Sequence, residues 1–368
     1  MTFSLDDLRR WPDIEAPNLV AVDATDRLLL DEAADEILAN PEGVLVIDDN
    51  YGALTLGAIA LGARGVLVHQ DSIVAERALA ANTGELSAEY RNVDLEDSPA
   101  LASVRLVLWQ LPRSLDRVED VAWQVANAVS PEVVVYAGGR IKHMTVRMNE
   151  VLLEHFGQLD VLPARQKSRA LRVQSPVDSS SRDKGRDIHA ELGIQLHGAA
   201  GVFAGGLLDI GARALLDALA EAAPAATSAV DLGCGSGVLA IAIARDRPQL
   251  QVVATDVSAA AVRATRQNID LNQLTNVTAL QDDAASSIPD ASVDLVLLNP
   301  PFHSGSTVHT GIASKLFAAA ARILTPGGEL WTVYNSHLGY RPELTRVVGP
   351  TREVSRTPKF TVTLSTRR

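Results

Sequence analysis

An amide, two prolines and an aromatic ring follow an apolar run in Leu298-Asn299-Pro300-Pro301-Phe302-His303. The run Val293 to Leu298 reads as a buried strand. The two prolines fix φ and remove two backbone donors, so the strand must stop and its last carbonyls are left to point elsewhere. An amide side chain just before the prolines and an aromatic ring just after them suit holding a flat, amine-bearing group by hydrogen bonds and stacking. A strand-ending turn with Phe302 packed in the core is equally compatible with this stretch alone.

A second group narrows the chemistry. Val230-Asp231-Leu232-Gly233-Cys234-Gly235-Ser236-Gly237 follows a strand and opens a helix. Glycines permit a tight turn and close approach of backbone to a ligand. The helix N-terminus offers free N–H groups and positive partial charge. Asp231 precedes Gly233, Gly235 and Gly237. Asp256 ends the next strand, where it suits two ribose hydroxyls. Asp282-Asp283 ends a third, where one carboxylate suits an adenine amine. Three acids at successive strand ends describe a binding crevice better than three solvated caps.

The elements that position these residues alternate. In the first half, Gly43 to Asp48, Gly65 to His69, Val104 to Leu108 and Val133 to Ala137 read as strands, with helices over Arg27 to Ala39, Ile73 to Asn82 and Val118 to Val129. In the second, strands are expected up to Asp231 and over Gln251 to Thr255, Val277 to Gln281, Val293 to Leu298, Glu329 to Tyr334 and Phe360 to Leu364. Helices are expected over Gly237 to Arg245, Ser258 to Asn272 and Lys315 to Leu324. Such alternation predicts parallel, doubly wound α/β sheets. The polar stretch Gln174 to Asp187 reads as a linker. The halves also correspond. Asp48 and Asp71 are spaced much as Asp231 and Asp256 are, and residues 104–113 align without gaps to 293–302. Gln110-Leu111-Pro112-Arg113 then stands where Asn299-Pro300-Pro301-Phe302 does. Two copies of one domain, the first having lost its special residues, fit this pattern.

The chain's 368 residues suit two domains. No run of about 18 apolar residues suggests a membrane span. The opening MTFSLDDLRRW lacks a secretory signal pattern. Cys234 is the only cysteine, which excludes an intramolecular disulfide and a cysteine-rich metal site. A cytoplasmic setting, no metal and no membrane partner are expected. The net charge of −12 is unevenly spread. Residues 1–100 carry 6 Lys/Arg against 20 Asp/Glu, whereas Arg140 to Arg186 carry 10 against 5 and Arg341 to Arg368 carry 7 against 2. Clustered cations can still release counterions from a phosphate backbone.

Together, D-L-G-C-G-S-G, Asp256 and N-P-P-F-H resemble the class I S-adenosylmethionine-dependent methyltransferases that act on exocyclic amines. The nearer resemblance is to the tandem ribosomal RNA guanine-N2 methyltransferases. Gly201-Val202-Phe203-Ala204, Leu208 to Arg213, Gly327-Gly328-Glu329-Leu330, Asn335-Ser336-His337-Leu338 and Lys359-Phe360 share it. Asp49 to Leu54 and Lys167-Ser168-Arg169 are similar to the degenerate first domain of the large-subunit member. The resemblance implies two tandem Rossmann-like domains with mostly parallel seven-stranded sheets. Residues 1–175 would form the degenerate, RNA-recognising domain and 185–368 the catalytic one. It implies S-adenosyl-L-methionine as cofactor, with Phe203 and Asp209 near its methionine end and Asn299 beside it. Asn299, Pro300 and Phe302 are the implied catalytic residues. Ribosomal RNA or a ribosomal subunit is the implied partner of a monomer. Arg140, Lys142, Arg147, Arg165, Lys167, Arg169 and Lys359 are the cations expected to meet RNA. Two other readings stand beside this one. A glutamine N5-methyltransferase would present the same amide geometry, and a non-catalytic RNA-binding assembly factor would need no cofactor.

Overall fold

A computed structural model describes residues 3–177, 186–189, 192–197, 210–219, 222–301 and 307–368. The chain divides into two compact units, Met1–Arg182 and Asp183–Arg368. In the first, the order is α1 (Ala24–Ala39), β1 (Val44–Ile47), α2 (Ala53–Ala60), β2 (Val66–His69), α3 (Ile73–Thr83), β3 (Tyr90–Asn92) and α4 (Ser98–Leu101). There follow β4 (Leu106–Gln110), α5 (Leu115–Ala128), β5 (Val134–Arg140), α6 (Val146–His155), β6 (Phe156–Val161) and β7 (Ser168–Pro176). The second opens with a hairpin, β8 (Arg186–His189) and β9 (Ile194–His197), then α7 (Ile210–Ala218) and β10 (Ser228–Leu232). It continues with α8 (Val238–Asp246), β11 (Gln251–Asp256), α9 (Ala259–Leu271), β12 (Val277–Gln281), β13 (Val293–Leu298) and α10 (Thr307–Ile323). It ends with β14 (Leu324–Asn335), α11 (Arg341–Val347), β15 (Thr351–Arg356) and β16 (Phe360–Thr366).

Each unit carries a seven-stranded sheet, β3-β2-β1-β4-β5-β7-β6 and β12-β11-β10-β13-β14-β16-β15. Six strands of each run parallel, and the next-to-last in the order, β7 or β16, runs antiparallel to both its neighbours. The two doubly wound sheets are the expected fold class. The central strands are apolar without interruption because both faces are covered. In β1 and β4, Leu45, Ile47, Val107 and Trp109 enter one buried cluster and Val44, Val46, Leu106 and Leu108 the other. Fully burying each such side chain stabilises by about 1.5–3 kcal/mol.

Three expectations shift. Gln174–Pro176 belong to β7 and Arg186–Asp187 open β8, so the polar linker is shorter than its composition suggests. Residues 178–185 lie outside the described residues. The helix expected over Lys315 to Leu324 begins at Thr307, and Leu324 already belongs to the next strand. Ser/Thr-rich composition concealed its first turns, because these residues compete locally with helix hydrogen bonds.

The halves correspond, but the acids do not. Leu232 pairs with Leu298 and Ile47 with Trp109, which sets Gln110 at the place of Asn299 and Gly52 at that of Gly237. Asp231 pairs with Ala254 as Val46 does with Val68. Val46, not Asp48, therefore stands for Asp231, and Gln70, not Asp71, for Asp256.

Candidate functional site

The site is built at the carboxyl ends of β12, β11, β10 and β13, which lie side by side. The chain leaves β10 toward one edge and returns to β13 on the other side. That reversal opens a crevice outside the strand ends. Asp231, the glycine loop, Asp256, Asp283 and Asn299 are all brought to this edge.

The loop conformation requires its glycines. Gly233, Gly235 and Gly237 have φ of +81°, +57° and +81°, a region costly for residues with a Cβ. A Cβ on Gly237 would also sit 2.7 Å from Thr265 Cγ2. Gly233 N and Cys234 N donate to Thr255 O at 2.8 and 2.9 Å, which pins the loop to β11. From α9, Thr265 Oγ1 donates to Gly235 O at 3.0 Å and Asn268 Nδ2 to Ser236 O at 3.0 Å. Thr265 and Asn268 were not singled out by the sequence. The only signal was two polar residues three apart on the buried face of a helix.

Asp231 is buried, and its Oδ2 accepts from Ala240 N at 3.0 Å in the first turn of α8. Its Oδ1 is buried without a hydrogen-bond partner. Burial, reinforced by the nearby Asp256 carboxylate, pushes its pKa up to about 7. An orphaned acceptor of this kind fits a cationic donor brought by a ligand, such as an α-ammonium group. The sign of its linkage is fixed. Folding takes up a proton between about pH 4 and about pH 7, so the stability from this carboxyl is full below that window and lost as pH rises through it. In ligand-free protein, thermal melts of Asp231→Asn should therefore lose less stability than wild type between pH 4 and pH 7, the difference being about 1–3 kcal/mol. Parallel pH profiles would refute this.

Asp256 is half-buried at the end of β11. Its Oδ2 accepts from Gly235 N and its Oδ1 from Ser258 N, both at 3.0 Å. A carboxylate held by the loop backbone at a strand end, an acceptor of several hydrogen bonds, is of the kind that fits a ribose diol. Asp282 is consumed by its own turn. It accepts from Asp283 N and Ser287 N, each at 2.8 Å, from Ser287 Oγ at 2.7 Å and from Ser286 Oγ. Burial alone would raise its pKa, yet these bonds hold it below the usual carboxylate range. Asp283 is the remaining acid there, and Lys315 Nζ lies 2.6 Å from its Oδ2. Lys315 is a site residue that sequence reasoning placed only as a helix start.

Asn299 follows β13 directly, with its side-chain oxygen shielded from solvent, Pro300 buried and Pro301 exposed. Phe203, Asp209, Phe302 and His303 lie outside the described residues. Of the expected RNA-facing cations, two are engaged. Arg147 pairs with Glu150 at 2.7 Å, and Arg165 with Asp31 at 3.2 Å and Glu32 at 3.0 Å. Lys359 sits with Nζ 5.3 Å from the Phe360 ring centre.

The matching edge of the first unit is filled from within. Asp49 is buried at the position of Cys234 and accepts from Leu54 N at 2.7 Å and Thr55 N at 2.8 Å. Through Thr55 N, the counterpart of Ala240 N, it takes the place at the helix start that Asp231 takes in the second unit. Gln70 Oε1 takes Asn50 N at 3.1 Å, as Asp256 takes Gly235 N, but carries no charge. Gln110 donates through Nε2 to the buried Asp26. Calorimetric titration with S-adenosylmethionine should accordingly show one site per chain, and a second site would contradict the register. Among the described residues, Glu119, Glu154 and His155 of this unit are the one group with metal-ligand spacing.

A family model described as methyltransferase small domain matches residues 193–364, and one described as RLMG N-terminal domain matches residues 2–177. Ribosomal RNA large subunit methyltransferase G of Shewanella amazonensis is 33% identical, over 97% of this chain and 94% of that protein. The protein of the same name from Streptomyces avermitilis is 34% identical, over 96% and 95%. Among solved structures, the T. thermophilus 16S rRNA N2 G1207 methyltransferase in complex with AdoMet and guanosine superposes with a TM-score of 0.76. It is 23% identical, covering 94% of this chain and 92% of that one, and the likeness is one of fold.

Proposed function

Since the chain belongs to the ribosomal RNA large subunit methyltransferase G family, we propose that it methylates the exocyclic N2 amine of a guanosine in large-subunit ribosomal RNA. The observation that carries this reading is Asn299-Pro300 at the end of β13, beside a glycine loop, in only one of two matching units. S-adenosylmethionine, when bound, supplies an already activated sulfonium methyl group.

The protein's task is then positioning and electrostatics. The guanine amine is a poor nucleophile because its lone pair is delocalised into the ring. Asn299 Oδ1 and the Pro300 carbonyl each accept one amine hydrogen, which localises the lone pair and aims it. Phe302 stacks on the base, a contact worth roughly 1–3 kcal/mol. The base has to be unpaired or flipped to reach the crevice. Asp231 would take the cofactor's ammonium, Asp256 its ribose and Asp283 its adenine amine. Residues 185–368 are thus the catalytic domain. Residues 1–175, lacking the cofactor acids, engage RNA. The reaction belongs in the cytoplasm, where ribosomal RNA is processed, and no described helix is long and apolar enough to cross a membrane.

Mass spectrometry of digested ribosomal RNA from a strain lacking the protein should show the loss of one N2-methylguanosine from the large-subunit RNA, restored by this chain. A full complement of N2-methylguanosine in that strain would overturn the reading.

A further inference from the structure

The first unit keeps a working surface at the edge where it gave up catalysis. Three loops meet there. The loop after β4 brings Arg113 and is tied to β5 through Leu111 N and Gly138 O at 2.8 Å. The turn after β5 brings Arg140, Lys142 and His143. The hairpin before β7 brings Lys167, whose carbonyl accepts from Ile141 N at 3.0 Å.

That hairpin is strained. Arg165 and Ser168 exchange hydrogen bonds of 3.0 and 2.8 Å around Gln166 and Lys167, whose φ values are +47° and +64°. Two positive φ values define a turn that asparagine and glycine favour, not glutamine and lysine. Strain of this sort persists where a side chain is needed at a fixed place.

The charge pattern is as selective. Arg105, Arg147, Arg165 and Arg172 each pair with a carboxylate. Arg113, Arg140, Lys142 and Lys167 pair with no described carboxylate, and Arg140 has only a 3.4 Å bond to Ser168 Oγ. In a unit whose first 100 residues are strongly acidic, three of these cations, Arg113, Lys142 and Arg140, act on one imidazole, that of His143. Arg113 Nη2 donates to His143 Nε2 at 3.1 Å, so the ring is neutral and carries its proton on Nδ1.

We propose that this corner holds a phosphate of the RNA backbone, and that His143 takes up a proton from solvent as the phosphate arrives. The inference rests on the RNA reading above and adds to it a defined site and a proton. Partial burial holds the His143 pKa below its ordinary value, and Arg113, Lys142 and Arg140 add to this. No carboxylate acts on it. The α6 acids nearest in the chain, Glu150 and Glu154, face Arg147. A phosphate between the cations cancels their field and lets the ring protonate, giving it a further donor. Binding therefore tightens as pH falls, by up to about tenfold per pH unit for one linked proton.

The test uses the full chain, fluorescein-labelled fragments of ribosomal RNA, and methyl transfer to intact ribosomal RNA. Arg113→Gln and Lys142→Gln should each weaken binding and lower the slope of log affinity against log salt by about one. Arg165→Gln, a cation already paired, should leave the slope unchanged. His143→Gln should abolish the tightening at low pH while keeping the high-pH affinity. Unchanged cofactor affinity in each variant reports that the second unit is intact. Wild-type salt slopes in both cation variants, or wild-type pH dependence in His143→Gln, would overturn the proposal even if wild-type protein methylates the RNA. Absent methyl transfer with these binding effects present would instead overturn the RNA methylation reading and leave the phosphate site standing.

Discussion

Asn299→Ala is expected to lower kcat about 10²–10³-fold, the usual cost of removing one preorganised hydrogen-bonding group from a transition state. The fall should appear in kcat more than in cofactor affinity. Asn299 Oδ1 acts on the amine as its lone pair turns toward the methyl group, and that demand is greatest in the transition state. The substitution is mild for the fold, because Asn299 lies just beyond β13 and pairs in no ladder. Single-turnover methyl transfer together with calorimetry of cofactor binding separates the two effects. Equal loss of cofactor affinity and rate would assign Asn299 to cofactor binding alone. The matching substitution Gln110→Ala in the first unit should leave kcat unchanged, since the register gives that corner no cofactor acids.

Asp256→Ala should weaken S-adenosylmethionine binding at least about 10²-fold. Hydrogen bonds to a charged group contribute about 1.5–3 kcal/mol each, and a ribose diol makes two. Part of the loss would come through the loop, since Asp256 also holds Gly235 N and Ser258 N. Asp256→Asn separates these contributions. It keeps one acceptor for the loop but loses the charge, and its affinity should fall between those of alanine and wild type. Calorimetry at constant salt reads both. Near-normal binding by Asp256→Ala would show that the ribose is held elsewhere.

The sequence carried the architecture because the central strands are buried on both faces and therefore apolar throughout, as in Val293 to Leu298. The glycine loop was legible because three positive φ values exclude most other residues. The correspondence of the halves was legible at Gln110 and Asn299, where an ungapped strand fixes the count. It failed at Asp48 and Asp71. The connection from the first strand to the second differs in length between the units, and spacing between acids cannot locate that difference. Strand register can, and it puts Val46 and Gln70 at the cofactor positions. The carboxylate partners of Arg147 and Arg165 were not legible for a related reason. Whether a cation faces solvent phosphate or a carboxylate such as Glu150 or Glu32 depends on packing between elements. Lys315 was invisible as a site residue because its partner Asp283 is 32 positions away.

The central claim is that the second unit methylates the guanine N2 amine through Asn299. The most direct measurement is transfer of a labelled methyl group from S-adenosylmethionine to unmethylated large-subunit ribosomal RNA, followed by nuclease digestion and identification of the labelled nucleoside. The account predicts label in N2-methylguanosine with wild-type protein and almost none with Asn299→Ala. Label in a protein glutamine, in another nucleoside, or at wild-type levels with Asn299→Ala would contradict it.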